Sequence, residues 1–573
     1  MTQRRQIPLL QKTAAGTYRS SGITGLENIP WQVNGYFQVN KDALDNSRKI
    51  AFVQRPGILD FEYATTKTNL KTTNAAERIM GLCTSVDKSQ VIFITQDATK
   101  RYSNIYTVSS NTLTQTDISA NFTTGEYAMT VLDGINYGSG VYYAATNGTV
   151  GGLISSTGVW SKITDADYTG TGTKTNFVGL DGYLFYGVIS GTGAGRIYNS
   201  DLSTAAAASG WVSTSYIQAL DVPGSIVWLG RLRNYIVAFK QFSIEFFEDV
   251  GNPTPGSPLE ARKHLTKKIG CASASSVQEV SDGLIFMGVD TNGKFAMYKI
   301  SQDSLDIKKI SNDLMDQVLQ NPTYNIGGFQ SFSNDLLNVS SSARGQSQVI
   351  IFENKELYAI TVYNSADSRR VSAFYDNELE TWFTWSTSFD ADSSLDGIFV
   401  PTMCFLLNNT TGGYWTCFAN NYETNSKSRF SVIWTSTPST ITNWFKDQYE
   451  LATTNAHKYM LVWSSDAFDC GTNDLKFAHS LDVIYDCDAS LDNYLSGSSV
   501  ESGVMRLYNN INDITTIPLS IREKVINDLG GNQIKFTRLG RFRRMTPRLM
   551  IIINSPIRIW AVELVWSGGP QYA

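Results

Sequence analysis

Three acidic residues, Asp376, Glu378 and Glu380, alternate along one short stretch, and in an extended strand they would share one face, the arrangement from which two carboxylates cleave a glycosidic bond. Asp376-Asn377 is turn chemistry, however, and places the group at the rim of a hairpin. His264, His457 and His479 stand far apart in the chain, and no Gly-x-Ser-x-Gly elbow accompanies them, so neither a nucleophile with its base nor a metal set is indicated. Gly170-Thr171-Gly172-Thr173-Lys174-Thr175 lacks the glycine directly before lysine that a phosphate loop needs, and Gly191-Thr192-Gly193-Ala194-Gly195-Arg196 lacks a correctly placed third glycine. Asp290-Thr291-Asn292-Gly293 lacks the terminal glutamate of a calcium loop. All three read as hairpin turns. Cys83, Cys271, Cys404, Cys417, Cys470 and Cys487 show no close pairing and read as reduced, structural thiols of a cytoplasmically made protein. The expectation is a chain without catalytic residues, cofactor or metal.

One charge asymmetry remains. Between Leu529 and Val562 there is no acidic residue, while Lys535, Arg538, Arg541, Arg543, Arg544, Arg548 and Arg558 fall within that stretch. The planar guanidinium fork suits carboxylates and phosphates. Lys535, Arg538, Arg541, Arg543, Arg544 and Arg548 are therefore the candidate partner-binding residues, a contact surface for an acidic partner ring or for phosphates. The competing reading is a solvated strand edge whose positive charges discourage sheet-to-sheet pairing.

The elements that must hold these residues follow a beat. Apolar runs closed by turn residues recur about every 50 residues through most of the chain, with second strands expected to start near Val91, Val141, Tyr183, Tyr235, Leu284, Leu357 and Tyr414. Such a period is too long for helix-pair repeats and too short for independent domains. Each unit must therefore take part of its core from its neighbours, as propeller blades do. In the clearest unit, Leu284-Ile285-Phe286-Met287-Gly288 is a buried strand, Asn292-Gly293 a turn accepting positive φ, and Phe295-Ala296-Met297-Tyr298 the return. Near Leu357 the spacing stretches to about 70 residues, the mark of an insertion or bridging element. Helical patterns are confined to 311–319 and 441–451.

From about Leu461 the beat is lost, and alternation in Trp560-Ala561-Val562-Glu563-Leu564-Val565-Trp566 predicts a β-sandwich or barrel-like domain. The fold class expected is all-β: a β-propeller, six blades favoured and seven the alternative, plus that C-terminal domain. An N-terminal arm over 1–60 packs on the C-terminal domain, the propeller covers 61–455, and the C-terminal β-rich domain covers 456–573.

With 573 residues, 42% of them apolar, the chain can bury two or three cores, and charged residues at 17% suit strand and loop surfaces covered in an assembly. The net charge of -5 argues against a general nucleic-acid binder but is compatible with a passage through which a duplex slides. The apolar run Leu549-Met550-Ile551-Ile552-Ile553 falls far short of the roughly 20 residues of a membrane-spanning helix, and the first ten residues hold no apolar stretch of signal-peptide length. A soluble chain is expected.

Four stretches, in order, resemble one family. Trp31-Gln32-Val33-Asn34-Gly35-Tyr36-Phe37 leading to Phe52-Val53-Gln54-Arg55-Pro56-Gly57-Ile58 is similar to the opening of the packaged-DNA stabilisation proteins, the tail hub or nozzle proteins of short-tailed bacteriophages. Gln241-Phe242-Ser243-Ile244-Glu245-Phe246-Phe247 follows. Ile269-Gly270-Cys271-Ala272, with Gly283-Leu284-Ile285-Phe286-Met287-Gly288-Val289-Asp290 and Lys309-Ile310-Ser311, resembles the family's most recognisable block. Phe536-Thr537-Arg538-Leu539-Gly540-Arg541-Phe542-Arg543-Arg544 resembles its arginine-rich C-terminal strand pair.

The resemblance implies a virion tail protein, made and assembled in the host cytoplasm, that forms a homohexameric ring below the portal and its adaptor ring. Such a ring continues the DNA channel, retains the packaged genome and passes it at ejection. It also implies contacts with tail fibres or spikes, and double-stranded DNA moving through the lumen without sequence-specific binding. The alternative from another class is a propeller that binds or cleaves host glycan.

Overall fold

A computed structural model describes residues 2–10, 32–39, 50–61, 70, 77–132, 141–316, 347–385, 403–433, 446–447, 457–487, 503–508, 522–526, 533–552 and 557–568, with a few positions within these spans left out. The fold is all-β. Seven sheets form blades: blade 1 (78–117), blade 2 (128–162), blade 3 (173–218), blade 4 (226–261), blade 5 (270–309), blade 6 (347–385) and blade 7 (403–433). Every second strand begins at or within two residues of its expected position, from Gln90–Gln96 in blade 1 to Tyr414–Asn421 in blade 7.

The cores lie between blades. Ile92, Ile94 and Ile105 of blade 1 pack on Tyr143, Ala145 and Ile154 of blade 2. Val178 and Phe185 of blade 3 meet Leu229 and Ile236 of blade 4, and Phe239 meets Phe286 of blade 5 with ring centroids 5.1 Å apart. Sheets that are apolar on both faces bury both by stacking around a ring, so no blade is stable alone. The ring closes where Phe93 of blade 1 packs on Phe430 of blade 7, centroids 5.0 Å apart.

The favoured count of six blades is corrected to seven, and the reason is physical. Blade 7 supplies only three strands from its own stretch, and its fourth comes from the other end of the chain. We number the N-terminal strands β1 (Thr2–Ile7), β2 (Gln32–Val33), β3 (Gly35–Val39), β4 (Ile50–Gln54) and β5 (Ile58–Asp60). β5 runs antiparallel along Ser428–Ile433, pairing Asp60 with Ser431 and Ile58 with Ile433. This seals blade 7 and covers its edge. The helix expected over 441–451 is also corrected: Lys446–Asp447 pairs as a short strand with His457–Lys458. Of the helix expected over 311–319, only Ser311, Asn312, Met315 and Asp316 are described, and Asn312 Oδ1 accepts from Met315 N at 2.8 Å in the manner of a cap.

Two further sheets enclose a core containing Ile7, Phe37, Phe52, Leu481, Phe536, Leu549 and Val562. The first runs β3, β4, Ile557–Gly568, Lys476–Cys487, Gln533–Phe542, with β1 also on Ile557–Gly568. The second continues blade 6: its outer strand Thr381–Trp385 pairs in parallel with β2, which passes the ladder to Leu461–Ser464, Arg548–Ile552, Gly503–Tyr508 and Arg522–Ile526. One hydrogen-bonded sheet thus crosses from propeller to C-terminal domain.

The corner between β2 and β3 explains the Asn-Gly and Arg-Pro-Gly steps of the N-terminal segment. Asn34 adopts φ 57°, and a Cβ on Gly35 would stand 2.3 Å from the Phe52 ring. Arg55, fully buried, donates from Nε to Asn34 Oδ1 at 3.0 Å and from a terminal nitrogen to the Pro56 carbonyl at 3.0 Å. A buried guanidinium needs this many acceptors to be tolerated.

Candidate partner interface

Lys535, Arg538 and Arg541 lie on Gln533–Phe542, the outermost strand of the first C-terminal sheet, which among the described strands pairs on one side only. β3 and β4, at the opposite end of that sheet, send Tyr36, Ala51 and Val53 into the core shared with blades 6 and 7. The basic strand is therefore the edge farthest from the propeller. The pleat sorts its side chains: Ile534, Phe536, Leu539 and Phe542 are buried, while Lys535, Arg538 and Arg541 are exposed.

At Ala478/Ser480 the register slips, and Arg538 takes φ 60° in the resulting bulge, turning its side chain outward beside Thr537. Arg541 stacks on Phe477 of the neighbouring strand, 5.0 Å from ring centroid to guanidinium carbon, which orients the fork without consuming its donors. Arg548 is separated from these three: it opens Arg548–Ile552 in the second sheet and is half-buried. Arg543 and Arg544 lie outside the described residues.

The stretch is free of acid in sequence but not in space. Asp482 sits opposite Lys535, and Glu563 opposite Asp482 across the next strand pair. Both carboxylates are held by Arg4 of β1, at 2.7 Å to Asp482 and 2.9 Å to Glu563, and Gln533 Nε2 donates to Asp482 at 3.1 Å. Arg4 takes up these acids, so the strand edge presents net positive charge. Sequence reading missed Arg4, Asp482 and Glu563, because their pairing joins segments nearly the whole chain apart.

The remaining candidates are occupied by structure. Asp376 is buried, accepts from Lys355 Nζ at 2.6 Å and caps the turn through the backbone N–H groups of Glu378 and Leu379, each at 3.0 Å. Glu380 bonds Lys308 at 2.6 Å. The rim-of-hairpin placement holds, and Asp376 and Glu380 are spent on separate lysines. His264, His457 and His479 sit on three different elements, and His479 Nε2 bonds Ser567 Oγ at 2.8 Å. Asp290 Oδ1 accepts from the N–H groups of Asn292 and Lys294 with Gly293 at φ 76°, a tight turn. Cys83 and Cys271 are free thiols.

Residues 170–175 are not the hairpin expected. Gly170 caps the helix Ala166–Thr169, and the chain then enters the first strand of blade 3. Lys174 is buried, donates to the carbonyls of Thr171 and Gly172 at 3.3 and 3.0 Å, and lies 4.6 Å from the Tyr168 ring centroid. Burial pushes its amine down to about 8 from 10.5. Between those two pH values the unfolded chain holds the proton that the folded chain has lost, so this group makes stability rise with pH from about 8 to 10.5. Cys83 and Cys271, pushed up to about 12 by burial, and the buried Tyr168 hydroxyl, also raised, act in the opposite direction above pH 9. The informative quantity is the difference between wild type and Lys174→Met. The advantage of the variant in urea unfolding is expected to be largest at pH 7 and to vanish by pH 10.5; a constant difference would refute the assignment.

The class follows from this architecture and from the comparison of sequences. The chain is built on a β-propeller, and part of that propeller matches a phage structural family. Residues 95–327, from blade 1 to past blade 5, match the model of a phage stabilisation family described as Bacteriophage P22 Gp10, beta-propeller, and the resemblance read from the sequence is borne out there. No curated protein matches the chain. Among solved structures, similar folds include a protein from Lactobacillus plantarum at 9% identity, covering 62% of this chain and 95% of its own, TM-score 0.34. They also include the Cps50 (Swd1) beta-propeller domain of Myceliophteria thermophila at 11%, covering 61% and 99%, TM-score 0.34. Kluyveromyces lactis Hsv2 matches at 14%, covering 54% and 97%, TM-score 0.24. Likeness at this level carries no argument about this chain. No helix among the described residues is long and apolar enough to cross a membrane.

Proposed function

We propose that this chain is the ring-forming nozzle or hub of a short phage tail, a homohexamer below the portal-adaptor that continues the DNA channel, retains the genome and passes it at ejection. The observation that supports this reading best is the nine-stranded sheet that runs without a break from blade 6 into the C-terminal domain. A wall that confines packaged DNA must not flex between its parts, and a shared hydrogen-bonded ladder gives that stiffness where a linker would not. The propeller over 61–455 forms the body, and the arm over 1–60 with the domain over 456–573 forms the joint. The net charge of -5 lets a duplex slide without being held.

Lys535, Arg538 and Arg541, with Arg543 and Arg544, are the contact to carboxylates of the adaptor ring or of a neighbouring subunit, and Arg548, half-buried in the second sheet, stands apart from it. Reversing Arg541, Arg543 and Arg544 to Glu is expected to weaken attachment to the adaptor by about 100-fold or more, since paired charges at interfaces are worth about 2–5 kcal/mol each when one side is lost. Co-sedimentation with adaptor rings at two salt concentrations tests it, and unchanged attachment removes the contact-surface reading. Electron microscopy of the wild-type chain with its adaptor tests the ring. A glycan array tests the alternative, a receptor-reading propeller, which needs no ring.

A further inference from the structure

We propose that the two ends of blades 3 and 4 make a head-to-tail contact between copies of this chain: the end of blade 4 bearing Leu220 and Phe242 seats on the end bearing Leu202 and Val250 in the next copy. This deepens the ring reading above and rests on it, but uses a surface separate from the basic strand.

Register fixes which residues share an end. Ile226 pairs with Lys240, so the connection that enters blade 4 and the turn at 241–243 lie together. Leu232 pairs with Tyr235, Asp249 with Leu259 and Leu180 with Tyr183, so the turns carrying Asp181, Leu202 and Val250 lie at the opposite end. Leu220 and Phe242 are the most exposed large apolar side chains described, at 67% and 65%. Their loops abut: a Cβ on Gly224 would stand 3.2 Å from the Phe242 ring.

These loops are held rigidly. Lys240 and Glu245 form an ion pair at 2.7 Å with side chains 1% and 5% exposed. Lys240 Nζ also donates to the carbonyls of Ala219, at 2.8 Å, and Val222, and Glu245 accepts from the N–H groups of Asp221 and Val222. Burying two charges is an expensive way to anchor a surface loop. Its effect here is to fix 219–222 from both sides and keep Leu220 turned to water, which is how interface anchors behave when the cost of ordering is removed before binding.

Charge complementarity names the occupant. Exposed Lys263, His264 and Lys268 flank the Leu220 end, and Thr266 Oγ1 bonds Asp221 at 2.7 Å to hold that segment against it. At the other end, Leu202 and Val250 are 55% and 41% exposed beside Asp181 and Asp249. Asp249, half-buried, titrates above the ordinary range, through burial first and also through the nearby charge of Asp181, while the hydrogen bond that it accepts from the Gly251 N–H at 2.8 Å pulls the other way. One end is apolar with Lys263, His264 and Lys268; at the other, Arg233 is tied to Asp303 at 2.5 Å, and Asp181 and Asp249 are the acids beside the apolar side chains, on the opposite face of the same two blades. A second copy satisfies both, and because the surfaces differ, the contact is heterologous and propagates head to tail, closing into the proposed ring where the rotation between copies closes.

The test uses the full chain and mass photometry. Leu220→Asp with Phe242→Asp disables one end, and Asp181→Lys with Asp249→Lys disables the other. Leu220, Phe242 and Asp181 are exposed and Asp249 is half-buried, and circular dichroism checks folding. Each variant alone is expected to lose at least 90% of ring mass, whereas a mixture of the two is expected to give dimers that grow no further, since each pair retains one competent contact. Rings that form as in wild type with both variants overturn this contact while leaving the ring reading intact. A wild-type chain that stays monomeric both alone and with adaptor overturns the ring reading and this contact with it. Rings lost only on reversal of Arg541 assign the subunit contact to the basic strand instead, and also overturn it.

Discussion

Trp385→Ala is expected to lower the stability of the chain by about 3–5 kcal/mol, the range for removing a fully buried tryptophan from a tight core. Trp385 is wholly buried and meets the rings of Phe374, Phe352 and Phe383 at 4.2, 5.5 and 5.8 Å. It sits where blade 6 hands its ladder to β2, and its indole N–H donates to the Gly35 carbonyl at 3.3 Å. The vacancy left by alanine would be walled by aromatic rings that belong to a rigid sheet and cannot close over it. Urea unfolding followed by circular dichroism measures the loss. Trp385→Phe, which keeps most of the packing and drops only the donor, is expected to cost about 1–2 kcal/mol. Equal losses for the two variants would mean that the hydrogen bond, not the aromatic cluster, holds the joint.

How far the sequence foretold this joint depends on the distance between its parts. Blade strands were legible because their signal is local: Leu284-Ile285-Phe286 followed by Asn292-Gly293 and Phe295 writes a hairpin within a few residues, and the same grammar located the second strand of every blade. β5 was not legible as part of blade 7, because a three-residue strand has no periodicity and its partner Ser428–Ile433 lies near the other end of the chain. The count of six blades failed for that reason. On the basic strand, Ile534, Lys535 and Phe536 alternate buried, exposed and buried as the pleat of a strand dictates. The bulge that re-aims Arg538 and the capture of Asp482 and Glu563 by Arg4 were hidden, since both arise from pairing between separate segments. Lys174 looked like part of a flawed phosphate loop because the eye reads spacing; burial and the carbonyls of Thr171 and Gly172 decide what its ammonium does.

The same long-range pairing yields the larger of the two expected effects. Removing residues 1–61 is expected to leave no folded species, although it deletes no complete blade and none of the candidate contact residues. The segment contributes Ile7, Phe37, Phe52, Ile58 and Phe61, each at most 1% exposed, to three separate cores. At about 1.5–3 kcal/mol for each buried side chain, their loss matches or exceeds the roughly 5–15 kcal/mol by which domains are normally stable. The sheet edges add to this. Without β5 the Ser428–Ile433 ladder is open on one side, and without β2 the sheet linking blade 6 to Leu461–Ser464 is cut. Propeller and C-terminal domain should therefore fail together, visible as loss of cooperative unfolding and as rapid proteolysis across both. A truncated chain that retains a cooperative transition with a protease-resistant fragment spanning blades 1 to 6 would show that the blades close without their N-terminal clasp, and that β5 is not what holds the seventh blade in the ring.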